Sequence, residues 1–358
     1  MNRRSWCRGA AALVLLAAGV SCSAQSDGTG PAGALFGEEA DRSTSPAATA
    51  PPPSPAAPVP PTKDELLRSA GVYFGVSTYQ TPLAAETDAV AAAAGRRPTM
   101  LQYFLDWRKE FDPATVREVY RQGAVPMLTW EPGDAPYEAD QSWYATRRIA
   151  DGEFDAYITR FARGVRDQGW PVVLRFAHEM NGDWYPWAAN VNGNRPGDYA
   201  AAWRHVHDVF AQEHADNVIW LWSPNVLRGT SADLQSLYPG DAYVDWLGMD
   251  GYGFGERTAS EVLDQTYVRL REIADKPVFI SETGAMPDPG KPGWITDLFR
   301  WIADHPKVPG FVWFEHSVEE GGRYDYRFAA DPAARKAFAD GLATLKLRGW
   351  PATQQPAS

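Results

Sequence analysis

Two segments far apart in the sequence, RFAHEMNGDWYPW (175–187) and ISETG (280–284), each place a glutamate where an apolar run stops. The first brings Arg175, His178, Glu179 and Asn181 together with Trp184, Tyr185 and Trp187; the second brings Ser281, Glu282 and Thr283. A third segment, GMDGYG (248–253), ends another apolar run with Asp250 and Tyr252. Two carboxyl groups held ~5–5.5 Å apart can cleave a glycosidic bond with retention, one attacking the anomeric carbon while the other protonates the departing oxygen and then activates water. Glu179 and Glu282 fit that demand if Glu282 stays ionised and Glu179 keeps its proton. Aromatic walls around Glu179, chiefly Trp184, would raise its pKa by excluding water, and the Tyr252 hydroxyl could hydrogen-bond Glu282 and keep it charged. The other reading is that one of the glutamates only closes a buried ion pair, for instance with Arg175.

The elements that must position these residues are visible as eight short apolar runs: 71–79, 99–107, 124–132, 171–179, 217–225, 244–252, 276–284 and 309–317. Between them lie amphipathic stretches, such as 154–168 and 198–214, whose apolar residues recur at three- and four-residue spacing. Alternating strand and helix implies a parallel sheet with right-handed crossovers, and eight repeats over roughly 280 residues match an α/β fold of the (β/α)8 TIM-barrel type. In such a barrel the chemistry sits at the carboxyl ends of the strands, which places Glu179 and Glu282 across its mouth from one another. Trp130, closing the third run, is expected to stack on a sugar ring, with a core position as the alternative. Trp220, Trp222, Trp246 and Trp313 alternate within strands and are expected to pack. Asp106, Glu131 and Glu315 also stand at strand ends and are assigned no catalytic part.

The formal net charge is −11 and the pI is ≈ 5.1, with no lysine- or arginine-rich tract. A nucleic-acid partner is therefore excluded, and the balance suits action on a neutral polymer. No glycine-rich phosphate loop follows any strand, and HEMNG has Gly182 where a zinc-binding H-E-x-x-H would need its second histidine. His205 and His207, two apart on a helix, point to different faces. No metal and no cofactor are implied.

Both cysteines, Cys7 and Cys22, fall in the leader. Residues 1–22 have an arginine-bearing start, an apolar run too short to span a bilayer comfortably, and small residues before Cys22, the layout of an export signal with a possible lipid attachment point at Cys22. Arg3 and Arg4 also allow twin-arginine export. Residues 23–62, rich in Ala, Pro and Ser and ending in PPPSPAAPVPP, read as an extended tether. The barrel domain is expected over 63–347, followed by a polar tail over 348–358.

The segments RFAHEMNGDWYPW, WLWSPN, GMDGYG, VFISETG and FVWFEH resemble glycoside hydrolase family 26, a group of barrel enzymes that includes β-mannanases, and the resemblance runs from about residue 70 to 345. It implies Glu179 as acid/base, Glu282 as nucleophile, His178 beside the acid/base, and Tyr252 as the residue that orients the nucleophile. It further implies that Arg175 organises both carboxylates and that Trp130, Asn181, Trp184, Asp250 and Trp187 contact the sugar. The implied activity is retaining endo-β-glycanase action on a polysaccharide partner, β-1,4-mannan first, with mixed-linkage β-glucan or β-1,3-xylan as same-family alternatives. A tethered carbohydrate-binding barrel without turnover is the alternative from another class. The protein is expected to act as a monomer, secreted or anchored by lipid outside a bacterial cytoplasm.

Overall fold

A computed structural model of the chain describes residues 59–68, 70–229 and 231–348. The expected export signal, Cys22 and most of the expected tether and tail lie outside these residues. Eight parallel strands close into a barrel in sequence order: β1 (Tyr73–Ser77), β2 (Met100–Asp106), β3 (Val125–Glu131), β4 (Val172–Phe176), β5 (Val218–Trp222), β6 (Trp246–Gly253), β7 (Val278–Ala285) and β8 (Gly310–Phe314). Each expected run holds one strand, with β6 and β7 each reaching one residue past the end of theirs. The principal helices are α1 (Lys63–Arg68), α2 (Ala84–Ala94), α3 (Pro113–Arg121), α4 (Thr146–Ala150), α5 (Asp155–Gln168), α6 (Asp198–Gln212), α7 (Leu234–Leu237), α8 (Ala259–Ile273), α9 (Lys291–Asp304) and α10 (Pro332–Thr344).

Local chemistry sets the helix boundaries. Asp112 caps α3 by accepting from the amides of Ala114 (2.9 Å) and Thr115 (3.2 Å), with Pro113 fixing the first turn. Thr258 and Glu261 form a reciprocal capping box at α8. α5 stops at Gly169, whose φ of 77° is left-handed. Its Ile158, Phe161, Ala162 and Val165 form the stripe that packs on the barrel.

Inside the barrel, residues two apart on one strand point the same way and divide into two levels. Met100, Met127, Val173 and Leu221 belong to an apolar lower level with Trp246, Phe279 and Val312. Their upper neighbours Gln102, Thr129, Arg175 and Ser223 are polar and fully buried. Leu66 of α1 packs against the lower level. The Leu66 carbonyl accepts from the Tyr73 hydroxyl (3.2 Å) and from Arg348 Nη1 (2.7 Å), and the Arg348 guanidinium lies 4.1 Å from the Tyr73 ring centre. Arg348, expected to begin the polar tail, is thus built into the foot of the barrel, because its guanidinium satisfies carbonyls there; the folded unit extends at least to 348. Trp220, Trp222, Trp246 and Trp313 are all buried, as expected for packing residues.

Candidate active site

The acid/base candidate sits on a strained turn. After β4, Ala177 (φ 44°) and Glu179 (φ 52°) both adopt the left-handed conformation, at a cost of about 1–3 kcal/mol each for non-glycine residues. Backbone bonds hold them: Ala177 N–H to the Trp130 carbonyl (3.0 Å) and Glu179 N–H to the Ser223 carbonyl (2.8 Å). Asn181 and Asn225 clamp the turn reciprocally, Asn181 Nδ2 donating to the Asn225 carbonyl (2.8 Å) and the Asn225 amide to Asn181 Oδ1 (2.9 Å).

The Glu179 carboxyl accepts from Trp184 Nε1 (2.8 Å) and from Asn225 Nδ2. Burial, and next the nearby charge of Glu282, push its pKa up against the opposing pull of Arg175 and these two donors. Gly182 makes room for Trp184 here, since a Cβ would stand 2.5 Å from its ring. His178 is buried beside Tyr185, ring centres 4.8 Å apart, and burial together with Arg175 holds its imidazole well below the usual pKa and so neutral.

Glu282 is aimed by an irregularity in β7. Met249 of β6 pairs with Ile280 and Asp250 with Glu282, so Ser281 is an extra residue. Such a bulge re-aims the side chains around it, and here it lets consecutive residues both serve the interior. Ser281 Oγ bonds Asp250 Oδ1 (2.8 Å) and Ser223 Oγ (2.6 Å), while Glu282 accepts from the Tyr252 hydroxyl and from Arg175 Nη1 (3.2 Å). Burial and the charge of Glu282 raise the Tyr252 pKa well above its usual value, so the phenol remains a donor. Arg175, fully buried, also bonds Asp250, Ser223 (3.1 Å) and Thr129 (3.2 Å).

The structure brings Glu179, Glu282, Arg175, Tyr252, His178 and Trp184 to the barrel mouth and corrects four expected sugar contacts. Trp130 is fully buried on the outer side of β3, stacked on Phe161 at 4.3 Å and bonded to Tyr157, because alternation turns it away from inward-facing Thr129. Trp187 is also fully buried; it stacks on Tyr185 at 4.4 Å and donates to the His178 carbonyl. Asp250 is enclosed by Arg175, Ser223 and Ser281, and Asn181 is used up in the clamp with Asn225. Sequence reasoning missed Asn225, which bonds both Glu179 and Asn181; its place in the polar end of the fifth run, SPN, was the available signal.

The description "Glycosyl hydrolase family 26" matches residues 135–290. Endoglucanase H of Acetivibrio thermocellus is 33% identical over 295 residues, covering 76% of this chain and 31% of that protein. A mannan endo-1,4-beta-mannosidase of Bacillus subtilis (strain 168) is 25% identical over 210 residues, covering 50% of this chain and 57% of its own length. The chain thus spans less than two thirds of either relative. Among solved structures, a GH26 beta-mannanase from Bacteroides ovatus shares the fold with a TM-score of 0.60 at 19% identity, covering 82% of this chain and 97% of that one. Because the matched stretch runs through both glutamates, the likeness in sequence and the geometry of the site meet on the same residues: residues 135–290, which carry the site, are those that match glycosyl hydrolase family 26.

Proposed function

We propose that the barrel is a retaining endo-β-glycanase. The observation that carries the reading is the contrast between two neighbouring carboxyl groups: Glu282 receives a phenol and a guanidinium, while burial and the Glu282 charge favour the protonated form of Glu179. Glu282 attacks the anomeric carbon as Glu179 gives its proton to the glycosidic oxygen, so one C–O bond forms and another breaks. Glu179, now a carboxylate, takes a proton from water, which attacks the same carbon and releases Glu282. Arg175 holds Glu282 and Asp250 in place, and Tyr252 orients the nucleophile. Trp184 is the aromatic face we assign to the sugar, being half-buried and bonded to the acid/base.

β-1,4-Mannan is the substrate we assign first, supported by the similarity to proteins named mannan endo-1,4-beta-mannosidase; similarity to Endoglucanase H and to a Beta-1,3-xylanase of Vibrio sp keeps β-glucan and β-1,3-xylan in the panel. The test is reducing-end release by the purified protein on glucomannan, galactomannan, mixed-linkage β-glucan and β-1,3-xylan, with Glu282→Ala alongside. Turnover that vanishes in the variant is expected; turnover that survives it would remove Glu282 from the mechanism. We further propose that the barrel is held outside the cytoplasm by a lipid on Cys22, so that Cys22→Ser moves it from the membrane to the culture fluid, whereas unchanged partitioning would sink that idea.

A further inference from the structure

A cleft of about 580 Å³ adjoins the catalytic pair, with Tyr252 in its wall. Three arginines reach it from three different strand-to-helix connections: Arg228 after β5, Arg257 after β6 and Arg323 after β8. All three are exposed, and none has a carboxylate within ion-pair distance among the described residues. Arginines on the outer helices behave differently: Arg160 pairs with Glu110 at 2.9 Å and Arg163 with Glu213 at 2.8 Å. Each cleft arginine instead lies over an aromatic ring, Arg228 on Trp184 at 5.7 Å, Arg257 on Phe254 at 4.8 Å and Arg323 on Tyr324 at 5.6 Å. Stacking of this kind orients the guanidinium while leaving its N–H edge free to donate.

The cleft carries one carboxylate in its lining, Glu261; its hydrogen bonds go to the α8 cap, from the Thr258 amide at 2.8 Å and hydroxyl at 3.1 Å, and it feels the Arg257 charge only through space. Glu256, beside Arg257 in the chain, is exposed and does not line the cleft. Three exposed arginines without an ion-pair partner among the described residues, in a cleft whose wall includes Tyr252, the hydroxyl donor to Glu282, form a local reversal of sign in a chain of net charge −11. A neutral polysaccharide offers these guanidinium groups only uncharged oxygens, chiefly hydroxyls, as acceptors. A planar fork of N–H donors matches a carboxylate or sulfate in two-point contact, and a cleft lined by one sign concentrates ligands of the other.

We propose that this cleft is a specificity site for a sugar bearing an anionic substituent, a uronate carboxylate or a sulfate ester, on the β-linked chain that the catalytic pair cleaves. The inference rests on the glycanase reading, because it names the substrate class for the same cleft.

The test is titration calorimetry at low salt on the full chain carrying Glu282→Gln. The probes are an acidic mannan oligosaccharide containing glucuronic acid with its carboxyl-reduced counterpart, and a sulfated mannan oligosaccharide with its desulfated counterpart. The anionic member of at least one pair should bind about tenfold tighter, the scale of one charge-assisted hydrogen bond, and the pair that discriminates identifies the anion. Arg257→Gln with Arg323→Gln should bring the ratio toward one, whereas Arg257→Lys with Arg323→Lys should keep most of it; melting curves confirm that each variant is folded. Equal affinity within both pairs overturns the proposal, as does discrimination that survives the glutamine variants. Hydrolysis by the unsubstituted protein separates the two readings: discrimination without turnover of the same saccharide removes the glycanase and leaves the site, while turnover without discrimination does the reverse.

Discussion

Four strand ends of the barrel carry a glutamate, and the two at the ends of β4 and β7 differ from the two at the ends of β3 and β8 in what each oxygen meets. Glu315 spends both oxygens on backbone amides, those of Phe328 (2.9 Å) and Ala329 (3.0 Å), and so pins the chain ahead of α10. Glu131 bonds the Tyr137 hydroxyl (2.9 Å), and burial lifts its carboxyl to about 8. Glu131 also feels Arg175 and Glu282 through space, but only Glu282 bonds that guanidinium and Tyr252 directly, and only Glu179 bonds Trp184. Burial alone therefore does not mark a reacting carboxylate. Position at the open mouth opposite a second carboxylate, in direct contact with Tyr252 or Trp184, does.

The most severe way to break this comparison is to delete the pair. Glu282→Ala should lower kcat by roughly 10⁴-fold, the scale of losing one member of a catalytic unit. Glu179→Ala should be comparably poor on polysaccharide but much less so on an aryl glycoside, whose leaving group departs without a proton. Equal losses on both substrates would contradict an acid role for Glu179. Next comes the group between them: Arg175→Met strands Asp250 and Glu282 as buried charges, so it should cost about 3–5 kcal/mol of stability in urea unfolding. A variant as stable as the parent would show that the guanidinium is not what compensates these carboxylates. Tyr252→Phe is milder, since Arg175 still reaches Glu282. A fall in kcat of ~10–100-fold with an unchanged melting temperature is expected, and wild-type turnover would remove the hydroxyl from the mechanism.

Much of this arrangement was legible as residue order. The eight apolar runs match the eight strands to within a residue at their carboxyl ends for β6 and β7, and both glutamates and Tyr252 stand at strand ends as read. What could not be read was the parity of each strand. In a parallel barrel both faces are buried, inward by the barrel and outward by helices, so hydrophobic character does not distinguish them. Trp130 was misplaced for that reason: Thr129 faces in and Trp130 faces out, with nothing in LTWEP to choose between them. The bulge at Ser281 resets the parity of Glu282 and has no signature in VFISETG. Arg228, Arg257 and Arg323 are separated by 29 and 66 positions along the chain, so a composition that reads as uniformly acidic conceals a cationic cleft that only closure of the barrel assembles.

The finest test of the comparison concerns Glu131, which shares burial with the pair but not its hydrogen-bond partners. Its folded pKa of about 8 lies above the 4.5 of an ordinary glutamate, so between those values the folded chain retains a proton that the unfolded chain has released. The stability this group contributes is fully present below pH 4.5, declines as pH rises and is gone above 8. Glutamine cannot titrate, so the stability of the parent relative to Glu131→Gln should fall across that window with a slope of at most ~1.4 kcal/mol per pH unit. Turnover should persist in the variant, since Asp106, Arg175 and Glu282 act on Glu131 only through space and its one side-chain bond is to Tyr137. Unfolding free energies that run parallel in the two proteins would mean that Glu131 titrates as it does in water. Loss of turnover on the scale of Glu282→Ala would place a third carboxylate in the reaction and dissolve the distinction between the two sides of the barrel mouth.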